Sequence, residues 1–334
     1  MLKSIILTFL LVFMLFLSGC GTKRQYFEPV DINGAIKPSG SLSSDLKEAA
    51  RSGAVLKNGR VITIKGEEKS IELEQEESFF GEFDGKFITA LNGGEMRVKN
   101  SDGSLIFSTN LNIMIASVSL DKEMLAVITS DNTLYTINMD TNTTIFQKKM
   151  DTMTAVDSRI AAPYFLGSLV IFPTLDGKLA IVDKKSGALV RNVVVSGERE
   201  FNNVIFLDIL GDRMFASTAK RIIGISPNNI NYIDEDIKDA LINGDRVFVF
   251  TKDGRVLLCD LELKVLDERK FPFAIFASAA AKNKLYILEK RGYLIKSDLD
   301  LKEFEIFEFT SQIDDFLFMT EDKIFYKNKF YILE

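Results

Sequence analysis

The sequence predicts an all-β protein, a β-propeller built from four-stranded antiparallel blades. Three features of the chain support this fold. Hairpin signals recur along most of its length, their second strands follow one another at intervals of about forty residues, and several strands are apolar at consecutive positions. Short strands repeated at such a period are typical of a propeller in which each repeat forms one blade.

Each predicted hairpin consists of a β-branched or aromatic run, a tight turn and a second run. Turns that contain Asn-Gly or Asp-Gly favour hairpins because their corner residues adopt positive φ. The clearest copy lies at residues 168–191, where Asp176-Gly177 and Ser186-Gly187 form two successive corners. The predicted hairpins span residues 54–64, 86–99, 124–138, 169–182, 214–225, 247–259, 285–296 and 324–333.

The hairpins favour eight blades, with seven as the alternative if the two terminal fragments merge into one. The last hairpin ends at what would be the third strand of its blade. A fourth strand borrowed from the other end of the chain would therefore close the ring and remove an exposed edge. Residues 247–250 and 256–259 are continuously apolar, which is typical of strands covered on both faces, here by neighbouring blades.

The chain contains 27 Phe residues, which are expected to pack between the blades. A Phe-lined ligand pocket is the alternative to this structural role. Cys259 lies in one of the apolar strands and is expected to be a buried, unreactive thiol.

Residues 1–19 are predicted to form a lipoprotein signal peptide. Lys3 provides a positively charged start, residues 5–17 are apolar, and small residues precede Cys20. The sequence Leu17-Ser18-Gly19-Cys20 resembles the bacterial lipobox, which implies that Cys20 is lipidated and becomes the first residue of the mature protein. An ordinary signal peptide whose cleavage site precedes a cysteine is the alternative.

Residues 20–53 are expected to form the lipidated N-terminus and a flexible tether, because they contain Pro29, Pro38 and several Gly and Ser residues without a sustained apolar period. A short helical turn is expected at residues 44–50. The propeller is expected to occupy residues 54–334.

The composition limits the chemistry that this protein can perform. The chain has no His and no Trp. Without imidazole, Ser-His-Asp and Cys-His nucleophilic systems and His-containing zinc sites cannot form, whereas carboxylate and lysine chemistry remain open. The net charge of −6 and the scattered basic residues argue against nucleic acid as a partner.

The repeat resembles that of pyrroloquinoline-quinone-type propellers, in which a glycine turn leads to an apolar strand ending in Asp and then to a Thr-Gly-like turn. Asp183 with Ser186-Gly187, and Asp102-Gly103, match this pattern, whereas Phe107 and Arg191 stand where the family repeat has Trp. Within that superfamily, a lipidated single propeller looks most like the lipoprotein subunit of the outer-membrane β-barrel assembly machinery. The resemblance implies a protein-binding scaffold, and it assigns no catalytic, cofactor-binding or metal-ligating residue to this chain.

Two acidic runs are candidate cation sites, namely Asp234-Glu235-Asp236 with Asp239, and Asp314-Asp315. Neither run has the regular ligand spacing and the glycine of a calcium loop, so solvated loops are the favoured interpretation. Paired carboxylates could also hydrolyse glycosides, but the sequence does not bring any two of them together. Scattered surface charge is favoured over a basic patch for the cations in or near turns, which are Arg191, Arg199, Lys220 and Arg221.

The expected function is that of a lipid-anchored protein-interaction scaffold, not an enzyme. It is expected at the outer membrane with its body in the periplasm, where it would assist the assembly of envelope or outer-membrane proteins. Its expected partners are envelope proteins and the membrane through the lipid anchor only, with no cofactor and no nucleic acid. Any binding residues are expected in the less regular loops between blades.

Two other functions remain open from the sequence. One is a propeller enzyme, either quinoprotein-like or carbohydrate-active. The other is an accessory subunit of a different envelope machine, such as a motor or a secretion system.

Overall fold

The computed structural model describes residues 29–271 and 275–333, so the predicted signal peptide and Cys20 lie outside the described residues. Within those ranges the regular secondary structure is entirely β, and the strands form eight sheets. Consecutive sheets follow one another along the chain, each built around an antiparallel meander. The eight-bladed propeller is therefore confirmed, and the seven-bladed alternative is wrong.

Two short strands precede the first blade, namely β1 (Gly34–Ala35) and β2 (Gly40–Ser41). Blade 1 contains β3 (Leu46–Ala50), β4 (Gly53–Leu56), β5 (Arg60–Thr63) and β6 (Gly66–Glu72). Blade 2 contains β7 (Glu77–Phe83), β8 (Lys86–Leu91), β9 (Glu95–Lys99) and β10 (Leu105–Asn110). Blade 3 contains β11 (Ile115–Asp121), β12 (Met124–Thr129), β13 (Thr133–Asn138) and β14 (Thr143–Lys149). Blade 4 contains β15 (Tyr164–Leu166), β16 (Leu169–Pro173), β17 (Lys178–Asp183) and β18 (Leu189–Val194).

The second half of the ring repeats the arrangement. Blade 5 contains β19 (Phe206–Leu210), β20 (Arg213–Ser217), β21 (Arg221–Ile225) and β22 (Ile230–Asp234). Blade 6 contains β23 (Ile237–Asn243), β24 (Arg246–Thr251), β25 (Arg255–Cys259) and β26 (Val265–Lys270). Blade 7 contains β27 (Ile275–Ala281), β28 (Lys284–Glu289), β29 (Tyr293–Asp298) and β30 (Phe304–Glu308). Blade 8 contains β31 (Leu317–Met319), β32 (Lys323–Tyr326) and β33 (Lys329–Ile332), together with β2.

The first strand of each blade lies at the centre of the ring, where first strands of successive blades contact each other, as β7 contacts β11 and β31 contacts β3. We name the four strands of a blade A to D from the centre outward. Because each blade is a meander, the B–C corners and the connections between blades lie on one face of the ring, the upper face. The A–B and C–D corners lie on the opposite, lower face.

Apolar packing between blades explains the continuously apolar strands. On β24, Val247 and Val249 belong to a cluster shared with blade 5, whereas Phe248 and Phe250 belong to a cluster shared with blade 7. All four side chains are fully buried. Each such Phe contributes roughly 1.5 to 3 kcal/mol by burial. The predicted structural role of the Phe residues is confirmed at these positions.

The ring is closed by the N-terminal segment, residues 29–42, which we name the strap. Strand β2 pairs antiparallel with β33 and becomes the fourth strand of blade 8, with Gly40 opposite Phe330. Strand β1 pairs in parallel with β30 and adds a fifth strand to blade 7, with Gly34 opposite Phe307. The prediction that a borrowed fourth strand closes the ring is confirmed.

The borrowed strand lies in the range for which the sequence predicts a flexible tether. Residues 34–50 form β1, β2 and β3, so the propeller begins before residue 54. The short helix expected at residues 44–50 is wrong, because β3 pairs with β4 and buries Leu46 completely. Tertiary pairing overrides the local helix preference here.

Aspartate residues at the end of a C strand or within the following turn close the C–D corners. The Asp183 carboxylate accepts hydrogen bonds from the Ser186 backbone and hydroxyl groups, each at 2.8 Å. Asp102 accepts the same pair of bonds from Ser104, at 2.9 and 2.6 Å. An aspartate that bonds the backbone two or three residues onward stabilises a turn. The residues that carry the family resemblance therefore have a structural role in these blades.

Candidate protein interface

The two longest connections between blades lie side by side on the upper face, before and after blade 4. They span residues 150–163 and 195–205, between β14 and β15 and between β18 and β19. Both are rich in the polar residues that disfavour regular structure, such as the Asp151-Thr152 and Ser196-Gly197 steps. Long connections on a rigid scaffold are the usual place of binding residues in such folds.

Hydrogen bonds join the two connections to each other. The Phe201 N–H donates to the Ala155 carbonyl at 3.0 Å, and the Ala161 N–H donates to the Val204 carbonyl at 3.0 Å. The fully buried Asn203 side chain accepts from the Asp157 N–H at 2.6 Å and donates to the Arg159 carbonyl at 2.7 Å. The connections therefore form one ordered surface, which we name the paired loops.

The base of the second loop is fixed on the B–C corner of blade 4. The buried Asn202 amide donates to the Asp176 and Ser196 carbonyls, at 3.0 and 2.9 Å. The adjacent corner residue, Gly177, has φ 80°, and a Cβ there would collide with the Asn202 amide. The Asp176-Gly177 corner thus has a second role beyond the turn, because only glycine leaves room for the loop that packs on it.

The paired loops expose apolar side chains together with charge. Phe201 is 51% exposed and has φ 52°, a left-handed conformation that is uncommon for a large side chain. Val156, next to the carbonyl that accepts the Phe201 N–H, is 39% exposed. Glu198, Arg199 and Glu200 are also exposed. Exposed aromatic side chains within a polar rim are typical of protein-binding surfaces.

Charged groups of the first paired loop approach the inner strand of blade 6. The Arg159 guanidinium pairs with the Asp157 carboxylate through two hydrogen bonds, one of 2.8 Å from Nε and one of 2.5 Å from Nη2. Burial lowers the pKa of Lys238, on strand β23, and the nearby Arg159 lowers it further. The paired loops therefore extend from blade 4 toward the inner strand of blade 6.

One side chain joins opposite sides of the ring. The Arg51 guanidinium, in the A–B corner of blade 1, lies 2.6 Å from the Asp239 carboxylate on β23 of blade 6. It also donates to the Ile205 carbonyl at 3.3 Å and lies 5.7 Å from the centre of the Phe206 ring at the start of blade 5. Blade 5 lies opposite blade 1 in a ring of eight, so these contacts cross the central channel.

The acidic runs do not bring their carboxylates together, because each carboxylate contacts a partner of its own. The pairs of the first run are Asp234–Arg221, Glu235–Arg255, Asp236–Lys220 and Asp239–Arg51. In the second run, Asp314 accepts a hydrogen bond from the Tyr326 hydroxyl, and Asp315 accepts one from the Phe316 N–H. Across residues 29–271 and 275–333, no group of three or more His, Cys, Asp or Glu side chains could hold a metal ion.

The candidate basic residues do not form one patch. Lys220 and Arg221 belong to the ion pairs at the B–C corner of blade 5, while Arg191 lies exposed on β18 and Arg199 on the second paired loop. The interpretation as scattered surface charge is confirmed for these four. Cys259 is completely buried, so the prediction of a buried thiol is confirmed, and burial raises its pKa to about 12.

A cleft of about 460 Å³ opens on the lower face, among the A–B ends of blades 2, 3 and 4. Its walls include Phe83, Asp121, Tyr164 and Phe165. Lys184 lies beside it, 3.0 Å from the Asp121 carboxylate. No helix in the described part of the chain is long and apolar enough to cross a membrane.

A family profile described as "Outer membrane protein assembly factor BamB" matches residues 43–300, which is more than half of the chain. The chain belongs to this family. Two relatives in Helicobacter pylori, strains J99 and 26695, are named plasminogen-binding protein PgbB. Each is 32% identical to this chain, and each alignment covers 96% of this chain. The alignments cover 69% and 68% of those relatives.

Solved structures share the fold at much lower identity. BamB from Moraxella catarrhalis is 14% identical and has a TM-score of 0.68, over 87% of this chain and 96% of that one. The C-terminal WD40 domain of Sif2 gives the same identity and TM-score, over 91% of this chain and 100% of that one. These likenesses show the propeller architecture, which is common to proteins of different function.

Proposed function

We propose that this protein is a lipid-anchored periplasmic propeller that binds a protein partner through the paired loops and assists the assembly of envelope or outer-membrane proteins. The observation that carries the proposal is Phe201. It is exposed, held in a left-handed conformation, and fixed by a hydrogen bond from its own N–H to the other loop. A strained, ordered and exposed aromatic residue is a candidate for function rather than for packing.

The surface around Phe201 fits a protein better than a small ligand. It is an open face with exposed apolar and charged side chains, and the buried Asn203 makes it rigid before any partner arrives. Rigid aromatic residues within such a surface provide a large share of binding energy in protein interfaces. Preorganisation reduces the entropy that would otherwise be lost on binding.

The relatives support binding rather than catalysis as the role of this chain. The two Helicobacter pylori relatives are named for binding plasminogen, and the matching family is named for outer-membrane protein assembly. The lipobox at Leu17-Ser18-Gly19-Cys20 supports the anchored, periplasmic location. Binding of plasminogen itself is the second candidate function, favoured by the 32% identity to those relatives.

Affinity purification of the tagged protein from native membranes tests the proposal. The Phe201→Asp variant is compared with Leu105→Asp, a matched control because Leu105 is 56% exposed on the outer strand β10 of blade 2. Wild type and Leu105→Asp should recover the same envelope proteins, and Phe201→Asp should lose them, because a carboxylate replaces the apolar contact. Binding of purified plasminogen to the three proteins on a sensor surface separates the second candidate from the first.

Two results would contradict the proposal. One is recovery of no envelope protein above an unrelated lipidated control. The other is equal recovery by Phe201→Asp and wild type, which would move the binding site away from the paired loops. Thermal unfolding of both variants should match that of wild type, since both positions are exposed.

A further inference from the structure

The cleft of about 460 Å³ on the lower face lies where the inner strands of three blades end. Phe83 lies at the end of β7, Asp121 at the end of β11, and Phe165 in the middle of β15. Small-molecule sites in proteins have volumes of about 300 to 1,000 Å³, and most combine apolar walls with a few polar groups. The cleft therefore has the size of a site for a small organic molecule.

Side-chain hydrogen bonds fix the inner strands of blades 3 and 4 beside the cleft. The Ser117 hydroxyl donates to the Ala161 carbonyl at 3.1 Å, and the Ser119 hydroxyl donates to the Pro163 carbonyl at 2.6 Å. Ser119 and Pro163 also form part of the cleft wall. This part of the wall is therefore ordered before any ligand binds, which reduces the entropy lost on binding.

One part of the cleft wall is apolar and aromatic. Phe83 and Phe165 are partly buried, and Leu120, which also lines the cleft, is 8% exposed. Phe83 packs against the core shared by blades 2 and 3, and Phe165 packs against the core shared by blades 3 and 4. The Lys184 amino group lies 6.0 Å from the centre of the Phe165 ring. This part of the wall suits an aromatic ring.

Amino groups contribute to the polar part of the cleft. The Lys184 amino group lies 3.0 Å from the Asp121 carboxylate, which it neutralises. Lys122 is exposed, and in the described part of the chain no carboxylate lies within 4.0 Å of its amino group. The acidic residues next to the corners, Asp84 and Glu123, are not part of the wall. The cleft therefore has a positive charge at Lys122 that no carboxylate of the wall neutralises.

The backbone at Lys122 has a conformation that glycine adopts without strain. Its φ is 55°, and the Lys86 amino group donates to its carbonyl at 3.1 Å. A positive φ strains most residues, whereas glycine adopts it freely. The first corner residues between the A and B strands of blades 4, 5 and 6 also have positive φ, and they are Gly167, Gly211 and Gly244. Lys122→Gly therefore removes the amino group and preserves the turn.

We propose that this cleft binds a small aromatic carboxylate, with its ring against Phe83 and Phe165 and its carboxylate on the Lys122 amino group. Rings that pack on aromatic side chains gain energy beyond that of area burial. Hydrogen bonds from an amino group to a carboxylate are roughly twice as strong as those between neutral groups. The cleft lies on the lower face and the paired loops lie on the upper face, so the inference does not depend on the proposed protein interface.

Isothermal titration calorimetry of the full-length protein with naphthoate tests the site, and naphthamide serves as the neutral analogue. Wild type is compared with Lys122→Gly, with the charge-retaining Lys122→Arg and with Lys282→Gly. Lys282 is the matched control, because it is an exposed lysine with φ 48° at the A–B corner of blade 7. Lys282→Gly thus makes the same change at the same corner position, on a blade that does not line the cleft.

Wild type, Lys122→Arg and Lys282→Gly should bind naphthoate equally at one saturable site, and Lys122→Gly should bind it about ten-fold or more weakly, because a charged hydrogen bond is lost. Wild type should bind naphthamide more weakly than naphthoate. Absence of saturable binding to wild type, or equal binding by wild type and Lys122→Gly, overturns the site. Equal affinity for naphthoate and naphthamide overturns the anionic class of the ligand. An equal loss in Lys282→Gly assigns the effect to the turn and overturns the role of the Lys122 amino group.

Discussion

Two buried glutamates show how the partners of a single residue decide its charge. Glu77 is 1% exposed and accepts hydrogen bonds from Thr89 and Lys99. Burial would raise its pKa, but these bonds outweigh burial and lower it. Glu289 is 2% exposed and accepts a backbone hydrogen bond from Arg291 at 2.8 Å. At Glu289 burial dominates and raises the pKa to about 7.

Because the pKa of Glu289 is raised, we expect its contribution to the free energy of unfolding to fall as pH rises. A folded pKa of about 7, above the ordinary value of 4.5, means that the contribution is present below pH 4.5 and is lost as pH rises through 7. Glu289→Gln should therefore be more stable than wild type at pH 8, by on the order of 2 kcal/mol, with little difference at pH 4. Urea unfolding at the two pH values measures this. The exposed Glu305→Gln is the control, and an equal response of both variants would contradict the prediction.

The sequence analysis did not predict the paired loops, and single residues explain why. Asn203 bridges two connections that are far apart in sequence, and no local pattern announces such a bridge. One signal was present, since the predicted hairpins 124–138, 169–182 and 214–225 are spaced more widely than the others. That spacing indicates long connections, but not that they bond to each other or that Phe201 is exposed.

At the scale of the element, the hairpins follow directly from local chemistry. The predicted runs 86–91 and 95–99 coincide with β8 (Lys86–Leu91) and β9 (Glu95–Lys99). The B and C strands of blade 6, β24 and β25, are buried on both faces and continuously apolar over residues 247–250 and 256–259. The outer strands lack that pattern because one side faces solvent, as on β26, where exposed and partly buried residues alternate. For this reason the sequence placed the hairpins better than the D strands.

The B–C corners lead to a second prediction, which concerns the stability of the protein in acid. In blades 3 and 6, Thr129 donates to Asp131 and Thr251 donates to Asp253. Burial alone would raise the pKa of each carboxylate, but hydrogen bonds from these threonines and from neighbouring cations lower both to about 2. A lowered folded pKa gives stability that is present above the ordinary value of 3.8 and is lost as pH falls toward 2.

The double variant Asp131→Asn, Asp253→Asn should therefore lose less of its unfolding free energy than wild type between pH 4 and pH 2. It should also be less stable than wild type at pH 7, because the ion pairs of Asp131 with Lys149 and of Asp253 with Arg255 are gone. Circular dichroism during acid titration measures the change. Asp245→Asn, in an exposed A–B corner, should behave like wild type, and a double variant indistinguishable from wild type would contradict the prediction.

At the scale of the whole molecule, stability depends on closing the ring with strands that are distant in sequence. Gly40 of β2 packs directly on the Phe330 ring of β33, and a Cβ at Gly40 would collide with that ring. Blade 8 has only three strands of its own, so loss of β2 would expose β33 as an unpaired edge.

Gly40→Ala should lower the free energy of unfolding by about 1 to 3 kcal/mol, because Phe330 must move to admit the new methyl group. Gly93→Ala is the matched control, since no atom lies within 4 Å of a Cβ at Gly93. Urea unfolding compares the two variants. Hydrogen exchange should show faster exchange in β33 for Gly40→Ala alone, and equal exchange in both variants would argue against closure by β2.

The sequence by itself determined the repeat and the hairpins, because these depend on turn residues and apolar runs that lie close together along the chain, and it favoured eight blades over seven. It also predicted that the ring would borrow a strand. Only the tertiary structure decided that the strand is Gly40–Ser41, that β1 adds to blade 7, and that residues 150–163 and 195–205 form one surface. A two-residue strand and a loop-to-loop hydrogen bond gain their stability from distant partners, and so they leave no periodic signal in the sequence.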